Sequence, residues 1–155
     1  LKENPFLFFI FASSSTVSKM NLAEINKICK NTLIGHLGIE FTSFENEVLE
    51  ARMKVDERTI QPMGYLHGGA SLALAETVGS GASLLLINPE EYNVFGMNVS
   101  ANHIASVREG YVHARASVIH KGRTSHVLNV EIKDDSGKLI SVARVTNAIV
   151  AKKVK

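Results

Sequence analysis

Hydrophobic positions along the chain change their period several times. Leu22, Ile25, Ile28, Cys29 and Leu33 recur at helical spacing, with Asn21 as a cap and Gly35 as a stop, so residues 21–34 are expected to form a short amphipathic helix. From Gly38 the period becomes two. Ile39 and Phe41 alternate with polar neighbours, Phe44-Glu45-Asn46-Glu47 turns the chain, and Leu49, Ala51, Met53 and Val55 alternate with Glu50, Arg52 and Lys54. That pattern is a hairpin with one wet face. Residues 56–66 then form a loop carrying Gln61-Pro62.

The next stretch has no polar face at all. A helix is expected from about Gly69 to Ile87, halted by Asn88-Pro89. A helix apolar on every side needs cover all round. Its Ser71, Ala75 and Gly79 recur every four residues, a narrow stripe that lets a sheet come close. Strand patterns follow at Val94 to Ile104, Tyr111 to His120, His126 to Lys133 and Leu139 to Ala151, parted by the turn signals Arg108-Glu109-Gly110, Lys121-Gly122-Arg123 and Asp134-Asp135-Ser136-Gly137. Short links make these antiparallel neighbours. The expected fold class is α+β: a curled antiparallel sheet of about six strands wrapped round one long buried helix, which sits between the second and third strands.

Composition narrows the function classes. The 155 residues suit one domain, and a net charge of +2 gives no footing for nucleic acid. Lys152, Lys153 and Lys155 read as a solvated tail. The lone Cys29 excludes an internal disulfide and any CxxC metal site, reads as a packing residue, and suits a reducing, cytoplasmic compartment. Phe6 to Ala12 is an apolar run too short for a membrane span. Residues 1–19 are read as a disordered upstream extension or an expression remnant, which leaves 20–155 as the folded domain. Neither HExxH nor a comparable metal-ligand spacing occurs, so no metal and no cofactor are expected.

Chemistry concentrates in QPMGYLHGGASLALAETVGSGAS, residues 61–83. Between Arg58 and Glu90 the only formally charged residue is Glu76. A carboxylate buried in such surroundings costs several kcal/mol, about what a functional role or an Arg partner must offset. The Gly68-Gly69 pair permits close backbone approach, and a helix beginning there directs unpaired N–H groups at a ligand. Ser80 lies one turn beyond Glu76 on the same face. A donor-rich helix end, a carboxylate and a hydroxyl are parts suited to attacking a carbonyl and holding its oxyanion.

The order hairpin, buried helix, four-strand meander, with QPMGYLHGGASLALAETVGS on the helix and NVSANHIASVREGYV in the next strand, resembles the hotdog-fold acyl-CoA thioesterases over residues 33–150. It is most similar to the branch holding 1,4-dihydroxy-2-naphthoyl-CoA thioesterase of menaquinone biosynthesis and the Glu-dependent 4-hydroxybenzoyl-CoA thioesterases. The resemblance implies a homotetramer, a dimer of dimers with active sites at the dimer interface, acting on an acyl-CoA without nucleic acid or membrane. It places the catalytic carboxylate at Glu76, the carbonyl-polarising N–H at Gly68 with His67 beside it, the loop glutamine at Gln61, the water-positioning hydroxyl at Ser80, and at His103 a histidine reaching into the partner's site. The turn His120-Lys121-Gly122-Arg123-Thr124-Ser125 resembles the region contacting CoA phosphates, implicating His120, Gly122, Arg123, Thr124 and Ser125. Its order of Arg and hydroxyl residues departs from the family's.

On this reading Glu76 either attacks the thioester carbonyl, giving a mixed anhydride, or acts as general base on water. Two other classes stay open: a hydroxyacyl thioester dehydratase of the same fold, and a non-catalytic acyl-CoA sensor. No helix-turn-helix precedes the domain, which counts against the sensor.

Overall fold

The computed structural model describes residues 22–153; the proposed 1–19 extension and Lys155 lie outside them. The hairpin forms as β1 (Ile39–Glu45) and β2 (Val48–Lys54), joined by Asn46 and Glu47 at φ 50° and 62°. Two successive positive φ values match the right-handed twist of the strands, and Asn tolerates them well. Glu47 tolerates them less, and its carboxylate is held by the Lys121 ammonium.

The expected N-terminal helix is two helices, α1 (Leu22–Cys29) and α2 (Leu33–His36), with Gly35 inside the second. The break is set by Thr32, whose hydroxyl donates to Cys29 O at 2.7 Å and accepts from Ile34 N at 3.2 Å, capping a new start. Helix α1 covers the edge of β1: the Asn26 side chain donates to Phe41 O and accepts from Phe41 N, both at 2.9 Å, like a strand neighbour. Cys29 is buried, and burial pushes its thiol pKa up, as expected of a packing residue.

Helix α3 (Gly68–Leu85) precedes β3 (Tyr92–His103), β4 (Tyr111–Lys121), β5 (Ser125–Asp134) and β6 (Leu139–Ala151). All six strands form one antiparallel sheet in the order β1-β2-β4-β5-β6-β3. The meander therefore holds from β4 to β6 only. Strand β3 pairs with β6 at the far edge, and β4 pairs with β2. The link of residues 104–110 can extend to about 23 Å, enough for three strand spacings of about 4.8 Å. It is tied on its way to Ile140, to Leu66 and to Val55.

The small-residue stripe of α3 does what its spacing implied. Ser71, Ala75 and Gly79 are buried against the sheet, and a Cβ at Gly79 would stand 2.9 Å from the Val145 Cβ. Leu74, Val78 and Ala82 complete the inner face with no exposure. Burying a Leu or Val side chain contributes roughly 1.5–3 kcal/mol. The helix is not covered on every side, however. Leu72, Ala73 and Thr77 are only half-buried and Glu76 is exposed, because the single sheet closes over one face and leaves the other open. The expected solvated C-terminal tail is also partly tied down: Lys152 donates from Nζ to Pro89 O and from its backbone to Glu91 O.

His126 faces inward from β5 at 2% exposure, and among the described residues its Nδ1 has no hydrogen-bond partner. Burial lowers its pKa, with Lys121 and His120 adding to that and Glu47 opposing it. The unfolded chain therefore takes up the proton first, near about pH 6.5, so His126 favours the fold above that range and disfavours it as pH falls. Melting temperature is expected to drop between about pH 7.5 and about pH 5.5, and His126→Gln to shrink the drop. An unchanged drop in the variant would contradict this account.

Candidate active site

The structure sorts the residues implicated by sequence into groups at different points along α3. At its N-terminus, Gly68, Gln61, His103, Tyr65 and Ser71 line one cavity of about 470 Å³. His67 is the N-cap residue of the helix, and its Nδ1 accepts from Gly69 N at 2.8 Å. A backbone N–H can only donate, so the neutral imidazole carries its proton on Nε2, outward. With Gly69 taken by this cap, the Gly68 N–H has no acceptor among the described residues. It is the donor this helix end offers to a ligand.

His103 stands against Gly68 of its own chain: a Cβ on Gly68 would lie 2.8 Å from His103 Nε2. Position 68 thus admits glycine because the ring fills the space a side chain would take. Within the chain, the β3–β6 pairing sets His103 opposite Ser141 with its ring against the start of α3. Ser141 Oγ donates to Asn102 O at 3.2 Å and lies 3.2 Å from His103 Nδ1. When the hydroxyl donates to the carbonyl, Nδ1 is the protonated atom and Nε2 offers a lone pair. In that tautomer Gly68, and not His103, is the donor at this corner.

Gln61 is oriented by its own loop. Its Oε1 accepts from Met63 N at 2.6 Å and its backbone N–H donates to Tyr65 O at 2.8 Å, and the residue lines the cavity. Arg108 secures the loop from outside, donating to Tyr65 Oη at 2.6 Å with its guanidinium carbon 4.1 Å from the ring centroid. Tyr65 and Arg108 were not singled out by sequence; an Arg in a turn signal carries no mark of its partner.

Glu76 and Ser80 lie two and three turns further along. Glu76 is exposed in the single chain, contrary to the buried carboxylate expected, because its face of the helix is the one the sheet leaves open. Its carboxylate rests over Gly96 of β3, where an added Cβ would meet Oε1 at 2.5 Å. The β3–β6 register slips beside this point, between Gly96 and Asn98. A glycine in mid-strand is a signal of close approach present in the sequence, and the bulge beside it comes from the pairing with β6. Ser80 lines an apolar cavity of about 380 Å³ with Thr77, Gly81, Phe41, Tyr92 and Phe95 among its walls. Its hydroxyl donates to Asn147 Oδ1 at 3.0 Å.

The β4–β5 turn closes on itself through Gly122 N to Ser125 O at 2.9 Å, and Thr124 O accepts from Ile149 N. His120, Arg123 and Thr124 are exposed there, and Arg123 makes no ion pair among the described residues. Ser125 pairs with Ala148, which pairs with Phe95, so the turn lies two strand spacings, about 10 Å, from the β3 segment beside Glu76. Among the described residues no group of three or more His, Cys, Asp or Glu converges as metal ligands would, and no helix is long and apolar enough to cross a membrane.

Comparison with known proteins places this geometry. Residues 63–141 match the family described as Thioesterase superfamily. The 1,4-dihydroxy-2-naphthoyl-CoA hydrolase of Escherichia coli is 41% identical over 131 residues, spanning 84% of this chain and 96% of that protein. Proofreading thioesterase EntH of Cronobacter turicensis is 42% identical over 130 residues, spanning 84% and 94%. Among solved structures, a thioesterase from Haemophilus influenzae superposes with TM-score 0.82 at 44% identity, covering 84% of this chain and 91% of that one. A mutant thioesterase from Pseudomonas aeruginosa gives 0.85 at 44% identity, covering 86% and 96%. An open six-stranded antiparallel sheet with one long helix packed against it is thus the hotdog fold of a thioester hydrolase, and the chain belongs to the thioesterase superfamily.

Proposed function

We propose that the chain hydrolyses an aromatic acyl-CoA, 1,4-dihydroxy-2-naphthoyl-CoA being the leading candidate, at sites shared between two copies of itself. The observation that carries the shared site is the distance along α3. Gly68 and Glu76 are eight residues apart, about 12 Å along the axis, too far for both to reach one carbonyl. The Gly68 N–H of one copy and the Glu76 of another can meet if two helices run antiparallel side by side. Strand β3 is suited to bring that about: it is an uncovered edge of 12 residues, with Phe95 56% and Met97 65% exposed beside Glu76. Pairing of such dimers into a homotetramer follows the family resemblance.

In this reading the thioester carbonyl oxygen sits against Gly68 N–H at the positive end of α3, with the Gln61 carboxamide nearby. Loss of one such donor typically costs about 3–4 kcal/mol of transition-state stabilisation. Glu76 is the attacking carboxylate or the base for water; His67 and His103 shape the oxyanion end; Ser80 positions water. The apolar cavity beside Ser80 holds the acyl group, and its aromatic walls Phe41, Tyr92 and Phe95 favour a flat ring. Arg123, with His120, Gly122, Thr124 and Ser125, meets the CoA phosphates. The name of the Escherichia coli relative supports the naphthoyl substrate, menaquinone biosynthesis as the setting follows the family resemblance, and one buried thiol fits a reducing cytoplasm.

Glu76→Gln is expected to lower kcat at least about 100-fold with melting temperature unchanged; wild-type turnover in that variant would remove Glu76 from the mechanism. Co-refolding inactive Glu76→Gln chains with inactive Gly68→Pro chains is expected to restore about a quarter of wild-type activity, because half the random dimers carry one intact site. A mixture that stays inactive would place each site within one chain. In a panel of dihydroxynaphthoyl-, hydroxybenzoyl- and medium-chain fatty acyl-CoA, kcat/KM is expected to be highest for the naphthoyl ester, and a fatty acyl preference would overturn the substrate while leaving the reaction.

A further inference from the structure

We propose that Asn147 is a positioning residue for this hydrolysis: it fixes the Ser80 hydroxyl as a hydrogen-bond acceptor toward the acyl cavity, so that the attacking water is held by both of its hydrogens. The inference rests on the thioesterase reading above and adds to it a residue and a direction for each proton.

Asn147 is the one carboxamide on the inward face of β6 and has no exposure. Its Nδ2 donates to Gly79 O at 3.3 Å and to Ser83 Oγ at 2.8 Å, while its Oδ1 lies 3.0 Å from Ser80 Oγ. The two ends of a carboxamide look alike in shape, but their surroundings here do not. Gly79 O is a carbonyl and can only accept, so the NH₂ must face it and the oxygen must face Ser80. Ser80 has a single proton, and among the described residues that proton is the one placed to satisfy Asn147 Oδ1. What Ser80 Oγ retains for the cavity it lines is its lone pairs.

Glu76 lies one turn before Ser80 on the same helix face, and its carboxylate rests over Gly96, the strand partner of Asn147. Ser80 is thus an acceptor on the wall of the apolar cavity, and Glu76, one turn away, is an exposed acceptor over Gly96, next in sequence to Phe95 of that wall. A water there donates one hydrogen to Glu76 and the other to Ser80, which leaves its lone pairs directed away from the helix at the thioester carbon. Were Ser80 free to donate, water would accept from it and a lone pair needed for attack would be engaged. In the step itself the water oxygen bonds to the carbonyl carbon, its proton passes to Glu76, and the π pair moves onto the carbonyl oxygen. Collapse of that intermediate breaks the C–S bond, and the departing sulfur takes the proton from Glu76 to give free acid and thiol.

The test compares wild type, Ser80→Ala, Asn147→Leu and the double variant with benzoyl-CoA, in water and in water–methanol mixtures. Methanol has one hydroxyl hydrogen and cannot satisfy both acceptors, so wild type is expected to favour free acid over methyl ester. Each single variant is expected to lose about 10- to 100-fold in kcat with KM within about twofold, and to show a lower acid-to-ester ratio. The double variant is expected to be no worse than either single one, because both remove the same arrangement. Wild-type kcat and ratio in Asn147→Leu, or additive losses in the double variant, overturn the inference. If Asn147→Leu does not fold, Ser80→Ala carries the test: an unchanged acid-to-ester ratio there overturns the inference equally. Failure of the wild type to release thiol from any acyl-CoA would instead overturn the proposed function itself.

Discussion

The close approach of α3 to β6 is the contact from which the rest of the molecule takes its dimensions. At Gly79 the helix backbone comes near enough to Val145 that no side chain fits between them. Asn147, two residues further along β6, is thereby brought within hydrogen-bond reach of the Gly79 carbonyl and the Ser83 hydroxyl. A larger residue at 79 would lift the helix and leave a fully buried carboxamide with unmet donors, at a cost of about 1–3 kcal/mol for each group stranded. Overpacking at this point would add about 1–3 kcal/mol more. Packing and polar order are thus the same constraint met twice.

Because the sheet closes over only one side of α3, the opposite side is left open. Leu74, Val78 and Ala82 face the strands with no exposure, while Glu76 is presented on the open face over Gly96. The ends of the helix are held differently. Its start is bound by the loop of residues 59–67, itself bonded to the 104–110 link, with His67 N donating to Thr59 O and Leu66 N to Val107 O. The middle rests on β3 and β6. The Gly68 N–H and the Glu76 carboxylate are thereby held by different supports, about 12 Å apart along one axis.

Around these supports, proton positions follow from the backbone. A carbonyl accepts and an amide N–H donates, and neither can be rotated to suit a ligand. Gly69 N–H makes His67 Nδ1 an acceptor, Asn102 O takes the Ser141 proton, and Gly79 O orients Asn147 and through it Ser80. His67, His103 and Ser80 are each one or two hydrogen bonds away from a group of invariable polarity. Such networks favour a single arrangement because the alternatives leave buried groups unpaired.

Much of this was legible in the chain. Period-two alternation located β1, β2 and the later strands, the absence of charge between Arg58 and Glu90 isolated Glu76, and the spacing of Ser71, Ala75 and Gly79 marked the face that meets the sheet. These are local properties, set by helical and extended geometry acting on neighbouring residues. The pairing of β3 with β6, the exposure of Glu76, the packing of His103 against Gly68 and the tie between Ser80 and Asn147 are of another kind. They join residues up to 67 positions apart. A link such as 104–110 is long enough to reach several strands, so nothing in its composition selects the edge that β3 occupies. Side-chain type determined which groups could do chemistry, and only the closing of the sheet over one face of the helix decided which of them face an opening together.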